Sequence, residues 1–232
     1  MNAIPVFAQQ PVVSLRAVSK VYPGGVVAID DIDLNIDRGD LAAIVGPSGS
    51  GKSTLLQVIG TLDRPTSGEV WIEGVNAAAL SDNQLAALRA HSIGFVFQQF
   101  FLIEAMSAVD NAATGLLYSG VSPKQRRSAA VEVLEQVGLG HRLWHRPNQL
   151  SGGERQRLAI ARAIVGRPTI VLTDEPTGNL DSRSGAETLA LLKDLHTAGT
   201  TVVIITHDPA VAAETTRHIF IHDGRIEKDV RV

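Results

Sequence analysis

The chain contains no cysteine. That removes disulfide staples, thiol nucleophiles and cysteine-ligated zinc together, and it is compatible with a reducing compartment. Aromatic residues make up only 4% of the 232 positions, so the core must be built from aliphatic side chains. No apolar run approaches the roughly 20 residues that cross a bilayer. The opening stretch Met1 to Pro11 lacks the basic flank of a secretion signal, and a soluble chain held at a membrane only by a partner is expected. Positive charge is not in excess either: Lys and Arg total 21 against 24 Asp and Glu, a formal net charge of −3. Such a surface offers no basic footprint for nucleic acid, and a nucleic-acid partner is not expected. Aliphatic material is plentiful, 44% of the chain being hydrophobic, which suits one α/β domain and leaves two cramped.

The apolar pattern predicts the layout of that domain. Ile32, Leu34 and Ile36 alternate with polar residues, as does Glu69-Val70-Trp71-Ile72-Glu73, which predicts a small antiparallel sheet near the N-terminus with one face exposed. Continuous apolar runs follow at Leu41–Val45, Ile170–Leu172 and Val202–Ile205, the pattern of parallel strands buried on both faces. Between Phe101 and Leu150 strand signals vanish. Ser107 heads one predicted helix, and Ser122-Pro123 opens another with Ala130, Val133, Leu134 and Val137 on one face. The expected fold is α/β with a mostly parallel sheet, an N-terminal antiparallel β subdomain and a helical subdomain inserted over about residues 100–150. Residues 12–232 are expected to form a single domain, and residues 1–11 to be poorly ordered.

Chemistry enters at Gly46-Pro47-Ser48-Gly49-Ser50-Gly51-Lys52-Ser53-Thr54, directly after the apolar run Leu41–Val45. Strand, GxxxxGK[ST] and helix together make a phosphate-binding loop. Its glycines let backbone N–H groups wrap a polyphosphate, and the helix starting near Gly51 adds its positive end. Lys52 adds a point charge, and the Ser53 hydroxyl is a candidate Mg²⁺ ligand.

A second motif, Leu150-Ser151-Gly152-Gly153-Glu154-Arg155-Gln156-Arg157, precedes a helix carrying Leu158, Ala161 and Ile164. Ser151 and Glu154 have capping-box spacing, and capping alone would account for them. It does not account for two glycines in a first turn, which are unfavourable unless something must approach the backbone closely. A phosphate is the natural candidate.

These residues resemble the ATP-binding-cassette ATPases: Leu150–Glu154 matches their signature sequence, and the likeness extends over nearly the whole chain. The resemblance implies that Tyr22 stacks on adenine, and that Gln98, rather than the adjacent Gln99, lies in the glutamine loop as a Mg²⁺ or water ligand. It also makes Asn179-Leu180-Asp181 the D-loop and His207 the switch histidine that contacts the γ-phosphate. Ile170-Val171-Leu172-Thr173-Asp174-Glu175 fits the Walker B strand, where Asp174 would hold Mg²⁺ through water and Glu175 would act as general base on the attacking water. Thr173 departs from the usual apolar residue there, and its hydroxyl needs a partner if buried.

The family implies ATP and Mg²⁺ as cofactors and a second ATPase subunit, since one phosphate loop and one signature face each ATP from opposite chains. A homodimer is expected, with Asp181 near the seam. It also implies a membrane-spanning permease subunit that holds the chain at the cytoplasmic face of the membrane. Phe100-Phe101-Leu102-Ile103-Glu104-Ala105-Met106 is either subdomain core or a groove for a short helix of that permease. Gly178-Asn179-Leu180-Asp181 looks like the lipoprotein-release and macrolide-efflux branch, which implies export or mechanotransmission. An importer subunit, or a cassette of the iron–sulfur assembly type, is the alternative.

Overall fold

The computed structural model describes residues 10–232, so the expectation for the first eleven residues lies, up to residue 9, outside the described residues. In chain order the elements are β1 (Val13–Tyr22), β2 (Val26–Ile36), β3 (Leu41–Val45), α1 (Lys52–Ile59), β4 (Ser67–Ile72), β5 (Val75–Asn76), α2 (Asp82–Ser92), β6 (Ile93–Val96) and α3 (Ala108–Ala113). There follow α4 (Pro123–Gln136), α5 (Gly152–Ile164), β7 (Ile170–Asp174), α6 (Ser182–Thr197), β8 (Thr201–Thr206), α7 (Pro209–Ala213), β9 (Arg217–His222) and β10 (Arg225–Arg231).

The alternating segments pair as an antiparallel sheet in the order β2-β1-β4-β5, and the continuous aliphatic runs occupy the middle of a second sheet, β10-β9-β3-β8-β7-β6. Within that second sheet β9, β3, β8, β7 and β6 run parallel, and only β10 is antiparallel to its neighbour. Both faces of the parallel sheet are covered, and the period-2 geometry of a strand divides its residues between two cores. Ala42, Ile44, Ile170, Leu172, Val203 and Ile205 point toward α1, α2 and the antiparallel sheet. Leu41, Val171, Val202 and Ile204 point the other way, into a core shared with α3, α4, α5, α6 and α7. The helices between residues 100 and 150 therefore have no separate core of their own. They close over one face of the sheet together with α5.

Helix starts follow their caps. The side chains of Ser107, Ser122 and Ser151 accept hydrogen bonds from Asp110, Gln125 and Glu154 N–H respectively, and Gln125 and Glu154 complete reciprocal boxes. Ala130, Val133 and Leu134 are buried on α4 as their spacing predicts, with Val137 buried just beyond its end. Thr173 is fully buried, and its hydroxyl donates to the Val203 carbonyl at 3.3 Å, the partner a buried hydroxyl requires.

Candidate active site

β3, β7 and β8 run side by side in parallel register and end together, so the segments that leave their C-terminal ends meet at one edge of the sheet. In open α/β folds that carboxyl edge is where ligands bind. After β3, residues 46–51 turn into α1. Gly51 is its N-cap with φ +100° and no side-chain capping bond, leaving first-turn N–H groups directed outward. Pro47, Ser48, Gly49 and Ser53 are exposed, Gly46, Gly51 and Thr54 half-buried, and Ser50 and Lys52 buried. Lys52 Nζ donates to the carbonyls of Gly46 at 2.8 Å and Pro47 at 2.7 Å. Burial lowers the pKa of its ammonium, opposed by the negative charges of Glu175 and Asp174.

At the end of β7, burial raises the pKa of the Asp174 carboxyl above the ordinary carboxylate value. The negative charge of Glu175 adds to the rise, while the Ser53 hydroxyl and Lys52 oppose it. Glu175 comes next, with φ +46°, a backbone conformation costly for a residue with a side chain and concentrated at functional sites. Its carboxylate is held from β8: Oε1 lies 2.6 Å from His207 Nδ1 and accepts from His207 N–H at 3.0 Å, and Oε2 accepts from the Thr206 hydroxyl at 3.3 Å. The structure thus brings Lys52, Ser53, Asp174, Glu175 and His207 to one place.

Gln98 reaches this edge from β6. Asn179 Nδ2 donates to the Gln98 carbonyl at 2.9 Å, and Gln98 Nε2 donates to Asn179 Oδ1 at 3.5 Å. Gln99 is also exposed but takes no part in this pairing. Asp181 caps α6, accepting from Ser184 N–H at 3.0 Å and Ser184 Oγ at 2.8 Å. Tyr22, at the end of β1, donates its hydroxyl to Asp63 Oδ2 at 3.3 Å.

Ser151, Gly152, Gly153 and Glu154 belong to a different neighbourhood. Glu154 Oε2 accepts from Ser151 N–H at 2.7 Å, and Oε1 accepts from Arg142 at 2.9 Å. Against the burial that would raise it, these partners hold the Glu154 carboxyl below the usual range. A methyl group at Gly153 would come within 2.8 Å of Ser184 Oγ, whereas one at Gly152 would meet only Leu180 at 3.6 Å and the Asn179 carbonyl at 4.0 Å. Packing within the chain therefore demands little of Gly152. Sequence reasoning missed Thr206, Arg142 and Asp63. Thr206 alone left a signal, as the residue immediately before His207 at the end of a predicted strand.

A phosphate-binding loop opening a helix beside two strand-end carboxylates defines a P-loop α/β nucleotide-binding protein. The sequence pattern of the ABC transporter family matches residues 29–178, and the chain belongs to that family, whose ATP-binding cassette it carries. It is 48% identical over 224 residues to the macrolide export ATP-binding/permease protein MacB 1/2 of Paracoccus denitrificans, covering 95% of this chain but 34% of that protein. The chain thus spans about a third of the length of such relatives. An uncharacterized ABC transporter ATP-binding protein of Thermotoga maritima is 48% identical over 219 residues, covering 93% of this chain and 94% of its own. Among solved structures, the dimeric post-hydrolysis state of the ATP-binding cassette MJ0796, bound to ADP and Pi, superimposes with a TM-score of 0.86. It is 44% identical and covers 94% of this chain and 98% of that one. The α/β cassette fold expected from the sequence is the fold found.

Proposed function

We propose that two copies of this cassette bind ATP between them and hydrolyse it to drive a membrane-spanning permease subunit, in export or in mechanotransmission. One observation carries the two-copy reading. Ser151–Glu154 pack on Arg142, Leu180 and Ser184 of their own chain, yet Gly152 presents bare backbone that no internal contact requires. A phosphate approaching from a second copy needs that backbone. The dimeric arrangement of the related cassette bound to ADP and Pi supports the same reading.

In this scheme the N–H groups of residues 46–54 and the Lys52 ammonium bind the β- and γ-phosphates, and Tyr22 stacks on the base. The Ser53 hydroxyl, the Asp174 carboxylate and the Gln98 amide oxygen form a hard-oxygen donor set that fits Mg²⁺. The paired negative charge of Asp174 and Glu175, which helps raise the Asp174 pKa, is what a divalent cation relieves. Bound there, Mg²⁺ would neutralise charge on the phosphates. Glu175 takes the proton of the attacking water as general base, its carboxylate oriented by His207 and Thr206. Asp181 lies at the seam.

Residues 12–232 act as one domain in this reading, peripheral at the cytoplasmic face of the membrane through the permease. No helix among the described residues is long and apolar enough to cross a membrane. The docking surface is a groove of about 330 Å³ lined by Phe95, Phe97, Phe101, Gly115, Arg162 and Pro168. Support for export comes from the macrolide export relatives and from Gly178-Asn179-Leu180-Asp181. The test is Glu175→Gln, with mass in ATP measured by light scattering alongside turnover. A stable dimer with turnover reduced at least about 100-fold is expected, and a monomer in ATP with wild-type turnover would overturn the proposal.

A further inference from the structure

β1 ends in Lys20-Val21-Tyr22, and the period of a strand sends Lys20 and Tyr22 to the same side. Lys20 is folded down rather than left in water. Its side chain is 14% exposed, its ammonium lies 5.1 Å from the centre of the Tyr22 ring, and it donates to Asp63 Oδ1 at 2.6 Å and to the Arg64 carbonyl at 2.8 Å. Lysines seldom give up that much hydration. The other oxygen of the same carboxylate accepts from the Tyr22 hydroxyl at 3.3 Å. One carboxylate thus holds both the ring and the cation packed against it. Burial alone would raise the Asp63 pKa, but the hydrogen bond and charge of Lys20 hold it below the ordinary value.

We propose that Lys20 and Asp63 are positioning residues for the nucleotide base, clamping Tyr22 as a stacking platform and leaving one ring face for the base. The proposal rests on the reading that ATP binds here with its base on Tyr22. A cation over one face of an aromatic ring is attracted to its negative quadrupole and draws electron density toward itself. The opposite face is then better suited to an electron-rich purine stacked in offset fashion.

The clamp also fixes distance. The segment that holds Tyr22 is tied to the far end of α1: Asp63 N–H donates to the Gln57 carbonyl at 3.2 Å, Val21 N–H to Thr66 Oγ1 at 3.0 Å and Thr66 N–H to the Ser19 carbonyl at 2.8 Å. Helix α1 therefore presents Lys52 and Ser53 at its start and anchors the base platform at its end. The two are separated by its eight residues, about 12 Å of rise. Base and phosphates are gripped by opposite ends of one rigid element.

The test compares dissociation constants for Mg-ATP and for inorganic tripolyphosphate, which has no base. Lys20→Met should weaken ATP roughly three- to tenfold while leaving tripolyphosphate binding unchanged. Lys20→Arg should restore most of the loss, and Asp63→Asn should reproduce it. If ATP and tripolyphosphate weaken in step, the pair is only a fold staple and the proposal fails; it fails equally if neither changes. Tyr22→Leu separates the inference from the reading beneath it. Unchanged ATP affinity in Tyr22→Leu overturns base stacking itself, whereas a loss there with none in Lys20→Met overturns the clamp alone.

Discussion

Asp40 shows what a single side chain can hold together far from the chemistry. It is 5% exposed, at the entry to β3, and accepts hydrogen bonds from Arg217 at 2.6 Å, Arg231 at 2.7 Å and Asp37 N–H at 2.9 Å. Arg217 in turn grips Asp229 of β10, so β3, β9 and β10 are joined by one charged network. In Asp40→Asn both arginines keep a carboxylate, Arg217 on Asp229 and Arg231 on Asp37. What is lost is charge-assisted hydrogen bonding at Asp40, expected to cost about 1–3 kcal/mol in urea unfolding. The sign of the pKa shift sets the pH dependence. Burial would raise the Asp40 carboxyl, but the Asp37 N–H and the two arginines hold it below the unfolded value of 3.8. Its contribution is therefore complete above that value and lost as pH falls through the lower, folded one. The stability gap between wild type and Asp40→Asn should persist at about pH 5 to 7 and narrow below about pH 4; a gap that widened in acid would contradict this. Nothing in the sequence marks Asp40, whose partner Arg217 lies 177 positions away. Glu175 stands out locally because it closes an aliphatic strand with two carboxylates, Asp174-Glu175, whereas His207, a lone histidine after a strand, is singled out only by the family resemblance. Thr206, which bonds Glu175 across 31 positions, reads from sequence only as the end of a strand.

Elements are legible in proportion to how much of their signal is local. β3, β7 and β8 announce themselves because two-sided burial writes an unbroken aliphatic run, and the helix starts announce themselves through serine caps three residues before their partners. β6 does not. It has four residues, one of them glycine, and pairs on only one side, with β7 from Ile93↔Ile170 to Val96↔Thr173; no propensity or periodicity rule recovers so short an edge strand. The reason for that glycine is tertiary. A methyl group at Gly94 would stand 2.5 Å from the Ala163 carbonyl and 3.1 Å from Pro168 Cγ, so β6 can lie against the end of α5 only without a side chain there. Gly94→Ala is expected to destabilise the fold by about 1–3 kcal/mol and to push β6 away from α5. Urea unfolding measures the first effect, and an acceleration of amide exchange over wild type that is larger in β6 than in β3 would report the second. Wild-type stability would mean that α5 yields more easily than its packing implies.

At the scale of the whole molecule, the nucleotide edge and the proposed permease groove are separated by only three positions of chain, from Gln98 to Phe101. The stretch reads from sequence as core or groove, and its residues divide between the two. Leu102 packs against the helical core, whereas Phe101 is 61% exposed, Ile103 44% and Met106 39%. Phe101 is also held open at some cost. Its φ is +48°, rare for a bulky residue. Arg162 donates to the carbonyls of Phe100 and Phe101, and the Phe101 ring meets Phe97 edge-on at 5.3 Å. A large apolar side chain fixed by its backbone yet turned outward has the character of an interface anchor. In the proposed complex with a permease, Phe101→Ala is expected to weaken the cassette–permease association roughly tenfold. ATP affinity should stay at its wild-type value, because the Phe101 ring packs edge-on against Phe97 and lines a groove that contains none of residues 46–54. Pull-down of the permease, with nucleotide titration of the same preparation, measures both quantities. Permease retained at full strength would remove Phe101 from the interface, and a loss of ATP affinity alongside permease loss would mean that groove and nucleotide edge move as one unit through Gln98.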